Sequence, residues 1–186
     1  RGAVVDSCGR RAPERVGAGT AGRRTSGNDE ALELWPSWSR DGRRLTDIRW
    51  TDEGLGQAMS ANANGSGARA VTRMPGHYAQ PRFSPDGNTI VYVSDAGGQS
   101  DIWQASRADE DKYWWQNDTF KLESLTKTAE KEWNLQWSPA GDRIAFLRER
   151  GDMWVMNPDG KEARRLFRSW NAPDYDWSPD GKWLVY

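Results

Sequence analysis

The stretch Trp177-Ser178-Pro179-Asp180-Gly181 is the clearest copy of a five-residue motif that occurs four times in this chain of 186 residues. The motif serines lie 45, 54 and 40 residues apart along the chain. Internal repeats with a period of about 40 to 45 residues are typical of a four-stranded propeller blade. The repeat therefore predicts a β-propeller. The earlier copies are Trp38-Ser39-Arg40-Asp41-Gly42, Phe83-Ser84-Pro85-Asp86-Gly87 and Trp137-Ser138-Pro139-Ala140-Gly141.

Each copy has the residues of a tight turn between two strands. Proline fixes φ at about −65° in the second turn position, aspartate bonds its own backbone, and glycine accepts a positive φ. The residues after each turn alternate with a period of two, as β-strands do. The best copies of this strand, Ile90–Val93 and Ile144–Leu147, are apolar on both faces. Such strands are expected where neighbouring sheets cover both sides.

A second turn follows the third strand of the repeat. Asp152–Met156 runs into Asn157-Pro158-Asp159-Gly160, and Asn62-Ala63-Asn64-Gly65 occupies the same place in the first repeat. These sequences indicate a second hairpin. A link of nearly constant length then leads to the next motif, as passage from blade to blade requires. The fourth-strand residues Val71, Leu125 and Leu166 precede the next motif aromatic by 12, 12 and 11 residues.

These repeats predict an all-β fold, a partial β-propeller with three four-stranded antiparallel blades and the first hairpin of a fourth. The predicted blades are residues 35–74, 75–128, 129–169 and 170–186. The first blade is the weakest, because Asp47 takes the place of Tyr92 and Phe146, and Met59 that of the strand-three tryptophan. Because the repeat breaks off in mid-strand, we expect a piece of a longer protein with an open edge that promotes homo-oligomers.

Composition excludes several classes of protein. The 26 basic and 27 acidic side chains leave a net charge of −1, which does not indicate nucleic-acid binding. No apolar run approaches the roughly 18 residues that span a bilayer, and the single cysteine, Cys8, cannot form an intrachain disulfide. Residues 1–34 are expected to be a poorly ordered lead-in, because the first thirty contain no large apolar side chain beyond valine.

The residues give little support for catalysis. His77 is the only histidine, and it lies in a link between blades where a loop role is favoured over a Ser-His-Asp triad. The motif serines are interpreted as turn formers. Asp109, Glu110, Asp111 and Asp118 favour a solvated acidic rim over a calcium site, because no calcium-loop pattern is present. Asp174 and Asp176 occupy alternate positions, so both would lie on one face of a strand. We interpret this as a solvent-exposed face rather than an acid/base pair. We therefore predict no catalytic, metal or cofactor-binding residue.

Trp114 and Trp115 pose the clearest binding question. They are adjacent in a charged excursion, residues 107–118, that accounts for the extra length of the second repeat. Each indole can bury on the order of 200 Å², so both must cover something. One interpretation is packing over the blade rim. The other is contact with a neighbouring domain, subunit or peptide, since such interfaces are rich in aromatic residues.

The repeat resembles the TolB-type propeller. The segments 132–139, 151–157 and 170–184 are more specifically similar to the propeller of tricorn-like serine peptidases, of the carboxy-terminal-processing peptidase family. That resemblance implies a noncatalytic propeller that guides peptide or protein substrates and adjoins a PDZ-like module and a protease domain. It also implies an exported or periplasmic location and a parent protein that is a serine peptidase. No catalytic residue is carried over, because none of the matching positions belongs to an active site.

Two other functions stay open on the sequence. One is a free-standing TolB-like scaffold for protein interactions. The other is the gate propeller of a prolyl-oligopeptidase-like hydrolase or of an amidohydrolase. Propellers serve many unrelated functions, so the fold alone does not choose among them.

Overall fold

The structure is a computed structural model that describes residues 32–51, 55–171 and 173–186. Its described part is all-β apart from one short 3₁₀ helix, Trp114–Gln116, and none of its helices is long and apolar enough to cross a bilayer. Blade 1 contains β1 (Leu32–Trp38), β2 (Arg44–Trp50), β3 (Gly56–Asn62) and β4 (Arg69–Ala70). Blade 2 contains β5 (Tyr78–Phe83), β6 (Thr89–Ser94), β7 (Asp101–Arg107) and β8 (Phe120–Ser124).

Blade 3 contains β9 (Glu132–Trp137), β10 (Ile144–Arg148), β11 (Asp152–Met156) and β12 (Arg164–Phe167). The fourth sheet is a hairpin of β13 (Asp176–Trp177) and β14 (Leu184–Val185). Every pair is antiparallel, and each four-stranded sheet is ordered as its strands follow in the chain. The predicted partial propeller of three blades and a hairpin is confirmed.

One predicted boundary is wrong. The first strand begins at Leu32 and pairs it with Trp50, followed by Glu33 with Arg49. Residues 32–34 therefore belong to blade 1 and not to the lead-in, because ladder hydrogen bonds extend the strand beyond the motif-based limit. The rest of the predicted lead-in, residues 1–31, lies outside the described residues.

The motif serines stabilise the turns. In the second copy, Ser84 Oγ donates to Asp86 at 2.5 Å and accepts from the Thr89 amide at 3.0 Å. Gly87 adopts φ 72° and its amide donates to the Ser84 carbonyl. The third copy has Ala140 where the others have aspartate, and there Ser138 Oγ donates to Asp142 instead, at 2.8 Å. The interpretation of these serines as turn formers agrees with this geometry.

The turns of successive blades lie against one another. A Cβ added at Gly141 would lie 3.3 Å from Pro85 Cδ, and one added at Gly181 would lie 3.5 Å from Pro139 Cδ. Arg40, which replaces proline in the first copy, donates from Nη1 to the Pro139 carbonyl at 2.7 Å. Turns one and two repeats apart therefore meet at one end of the molecule, as blades arranged around an axis require.

The core lies between the blades. Alternate residues of β6 face opposite neighbours, so Ile90 and Tyr92 pack against Ile48 of blade 1. Val91 and Val93 pack against Phe146 of blade 3. A third cluster, which includes Leu147, Val155 and Tyr175, joins blade 3 to the hairpin. Both faces of β6 are covered, as its apolar sequence predicts.

Each complete blade has a bulge in its first strand. Trp35, Gln80 and Asn134 have φ of 52°, 52° and 54°, and the strand register shifts beside each of them. Their spacings of 45 and 54 residues equal those of the first three motif serines. The bulge is therefore a property of the repeat. Residue type did not reveal it, because positive φ favours glycine and, more weakly, asparagine, and only Asn134 of the three positions holds such a residue.

Candidate functional site

The excursion between β7 and β8, residues 107–118, forms a compact segment that we call the rim strap. Asn117 organises it. Its side-chain oxygen accepts from the Asp109 amide at 2.8 Å, and its amide nitrogen donates to the Tyr113 carbonyl at 3.0 Å. Asn117 is buried, so these bonds satisfy polar atoms that water does not reach. The strap is thus built from its own side chains.

Trp114 of the rim strap is a core residue. It is 2% exposed, stacks on Phe120 with ring centroids 4.4 Å apart, and meets Phe83 edge-on at 5.4 Å. Its indole nitrogen donates to Ser60 Oγ of blade 1 at 3.0 Å. Packing between blades 1 and 2 therefore covers the Trp114 ring, which supports the first interpretation, packing over the blade rim, for this residue.

Trp115 has the opposite environment. It is 45% exposed and stacks parallel to Tyr113, which is 62% exposed, with centroids 4.5 Å apart. The Arg44 guanidinium of blade 1 lies 4.3 Å from the Trp115 ring centroid, within the range of a cation–π interaction. We call Arg44, Tyr113 and Trp115 the aromatic stack. The hypothesis of a partner contact stays with Trp115.

The rim strap joins two blades. Three contacts connect it to blade 1. Trp114 donates a hydrogen bond to Ser60, and the Arg44 guanidinium lies over the Trp115 ring. Arg69 Nη1 donates to the Asn117 carbonyl at 2.8 Å. An inserted loop that was predicted only as an excursion at a blade rim thus stabilises the interface between two repeats.

Two acidic residues of the rim strap form ion pairs with lysine. Lys112 Nζ lies 3.0 Å from Asp109, and Lys121 Nζ lies 3.3 Å from Glu110. The hydrogen bond from Lys112 is the main cause of the lowered pKa of Asp109. Among the described residues, no group of three histidine, cysteine or acidic side chains is arranged to hold a metal ion.

His77 lies in the link that leads into β5, at the opposite end of that strand from Ser84. Its ring centroid is 5.6 Å from that of Trp50, and its carbonyl accepts from the Asp95 amide at 3.4 Å. The Ser84 hydroxyl donates its hydrogen bond to Asp86 within the motif turn. This geometry favours a loop role for His77, which contacts the Trp50 ring, over a Ser-His-Asp triad.

Asp174 and Asp176 are both exposed, on either side of buried Tyr175. The Tyr175 hydroxyl donates to the carbonyl of Asn134, the bulge residue of blade 3, and its own carbonyl accepts from Gln136 at 2.6 Å. Burial raises the pKa of Tyr175. The alternation predicted for this segment places the tyrosine against blade 3 and both carboxylates in water.

A cleft of about 490 Å³ lies between blades 1 and 2, at the end opposite the motif turns. We call it the inter-blade cleft. Its lining includes the aromatic residues Trp35, Trp50, His77 and Tyr78 together with Asp95. This cleft is not evident from the sequence, because its walls come from strand ends of two different repeats. The only signal was the aromatic content around the link at His77.

Comparison with known proteins agrees with the geometry. Residues 17–186 match the family model described as the TolB beta propeller domain. The uncharacterized protein Atu1656 of Agrobacterium fabrum is 27% identical over 169 residues, covering 82% of this chain and 53% of that protein. The uncharacterized peptidase YuxL of Bacillus subtilis is 26% identical over 151 residues, covering 81% of this chain and 21% of the peptidase.

A solved structure shares the fold. TolB from Acinetobacter baumannii superposes with a TM-score of 0.65 at 20% identity, covering 82% of this chain and 37% of that one. The chain spans about half the length of the first curated relative and about a fifth of the second.

Proposed function

Because the chain belongs to the TolB β-propeller domain family, we propose that it is the noncatalytic propeller segment of a tricorn-like serine peptidase. In this role it guides or selects peptide substrates and contacts the adjacent protease domain. We also propose that the parent protein is exported.

The similarity to the Bacillus subtilis peptidase carries this proposal. It extends over 81% of this chain but only 21% of that protein, which fits a propeller joined to a larger enzyme. The resemblance of segments 132–139, 151–157 and 170–184 to tricorn-like propellers points the same way. The exposed aromatic stack supplies a surface suited to a neighbouring domain, since tyrosine, tryptophan and arginine are enriched at interface hot spots.

A free-standing TolB-like interaction scaffold is the second candidate. The family match and the fold shared with the Acinetobacter baumannii protein favour it. A scaffold of this kind binds the surface of a folded partner, whereas a substrate-guiding propeller binds extended peptides. The two functions therefore differ in what the purified chain captures.

Two measurements on the purified chain test the proposal. Incubation with fluorogenic peptides should give no hydrolysis, and turnover that His77→Ala abolishes would contradict the noncatalytic role. Dye-labelled unstructured peptides should bind saturably in fluorescence anisotropy. Binding of folded proteins with no binding of any peptide would favour the scaffold instead.

A further inference from the structure

We propose that the inter-blade cleft binds the basic side chain, lysine or arginine, of an extended peptide. This inference rests on the proposed peptide-guiding function and specifies the chemical class of peptide. Three observations carry it: walls fixed by close packing, a strained tryptophan, and an exposed acidic residue in a lining where the described residues include no lysine or arginine.

The first wall is Trp50, at the end of β2. Its cross-strand partner is Gly56, and a Cβ added there would lie 2.9 Å from Trp50 Cε3 and 2.8 Å from Ile48 Cγ2. The indole therefore occupies the space that a side chain on β3 would need. A glycine at this position allows the ring to lie directly on the neighbouring strand.

The second wall is Tyr78, at the start of β5. A Cβ added at Gly76 would lie 3.1 Å from its ring, its hydroxyl donates to the Met74 carbonyl at 2.8 Å, and it meets Tyr92 edge-on with centroids 5.7 Å apart. Three separate contacts thus hold this ring. Binding sites that are formed before the ligand arrives avoid the entropic cost of ordering side chains.

Trp35 lines the same cleft and has φ 52° while being 43% exposed. A bulky residue in this backbone region is strained by about 1 to 3 kcal/mol, and such residues concentrate at ligand-binding sites. The bulges of blades 2 and 3 hold polar residues at the equivalent position. The first blade alone therefore presents an indole there.

The charge of the lining decides between ligand classes. Asp95 is exposed at the edge of the cleft, and the lining residues that the structure describes include no lysine or arginine. Within the described part of the chain, no hydrogen bond or ion pair engages the Asp95 carboxylate. Aromatic faces attract ammonium and guanidinium groups, and more strongly where water is displaced. Leu34 and Val93 add aliphatic surface that suits the methylene stem of a basic side chain.

The experiment measures binding of three blocked, unstructured peptides to the full chain by fluorescence anisotropy. They are identical except for one central residue, which is lysine, norleucine or glutamate. We expect the lysine peptide to bind about five- to tenfold more tightly than the norleucine peptide. Asp95→Asn should remove most of that preference by weakening binding of the lysine peptide. Asp118→Asn, at an exposed position of the rim strap, is the matched control and should retain the full preference.

The outcomes separate this inference from the proposed function. Peptides that bind without a preference for lysine, or with a preference that Asp95→Asn does not alter, would overturn the cleft assignment and leave a peptide-guiding propeller intact. Peptide hydrolysis by the chain would overturn the noncatalytic function but not the cleft. Absence of binding to all three peptides would overturn both.

Discussion

Neighbouring residues Trp114 and Trp115 have opposite roles, which makes them a matched pair for mutation. Trp114→Ala removes a ring that is 2% exposed and packs against two aromatic side chains. We therefore expect the free energy of unfolding to fall by about 3 to 5 kcal/mol. Trp115→Ala removes an exposed ring and should cost less than about 1 kcal/mol. Urea unfolding followed by circular dichroism measures both. Equal losses would contradict the distinction between core and surface.

Asp47 is the residue with the most unusual electrostatics. It occupies the position of Tyr92 and Phe146 in the other blades, and one of its carboxylate oxygens is buried without a hydrogen-bond partner among the described residues. Burial first, and then repulsion from Glu33, raise its pKa from 3.8 to about 6, while Arg49 acts in the opposite direction. The folded chain therefore binds this proton more readily than the unfolded chain does.

This raised pKa predicts how stability depends on pH. The contribution of Asp47 to the free energy of unfolding should fall by about 1 to 3 kcal/mol as pH rises from about 4 to 6, because the folded state must then ionise its buried carboxyl group. Asp47→Asn should therefore be more stable than the parent chain at neutral pH and similar to it at pH 4. Urea titrations across this range test the prediction, with Asp118→Asn as the exposed control. A difference between parent and Asp47→Asn that does not vary with pH would contradict it.

The strands and turns could be predicted from the sequence where turn-forming residues are followed by an alternating pattern of apolar residues. The repeat predicts the motif turns and the burial of both faces of β6. It also aligns Asp47 and Met59 of blade 1 with Tyr92 and Trp103 of blade 2, and each of these is a cross-strand pair. The bulges did not follow, because Trp35 and Gln80 are not residue types that favour a positive φ. The inter-blade cleft could not be predicted from the sequence either, since Trp50 and Tyr78 come together only through packing between repeats.

The bulge of blade 3 gives a prediction for an element. Glycine adopts positive φ without strain, so Asn134→Gly should change the free energy of unfolding by less than about 1 kcal/mol. A β-branched residue is strongly disfavoured there, so Asn134→Val should destabilise the chain by about 1 to 3 kcal/mol. Both variants keep the bond from the residue 134 amide to Gln80 Oε1. Equal stability of the two variants, compared in urea, would show that the bulge is not strained.

At the scale of the whole molecule, the fourth sheet leaves apolar surface uncovered. Leu184 packs toward blade 3, whereas Trp183 and Val185 are 71% and 68% exposed, and β14 has no partner strand on its outer side in the described part of the chain. An unprotected edge with apolar side chains promotes association between copies. Sedimentation velocity should therefore show an average mass that rises with protein concentration.

Val185→Lys should reduce this rise by placing a charge on the edge, whereas Met74→Lys, at a position 72% exposed elsewhere, should not. A parent chain that stays monomeric at every concentration would contradict the open edge, and equal effects of the two lysines would indicate that net charge, rather than β14, controls the association.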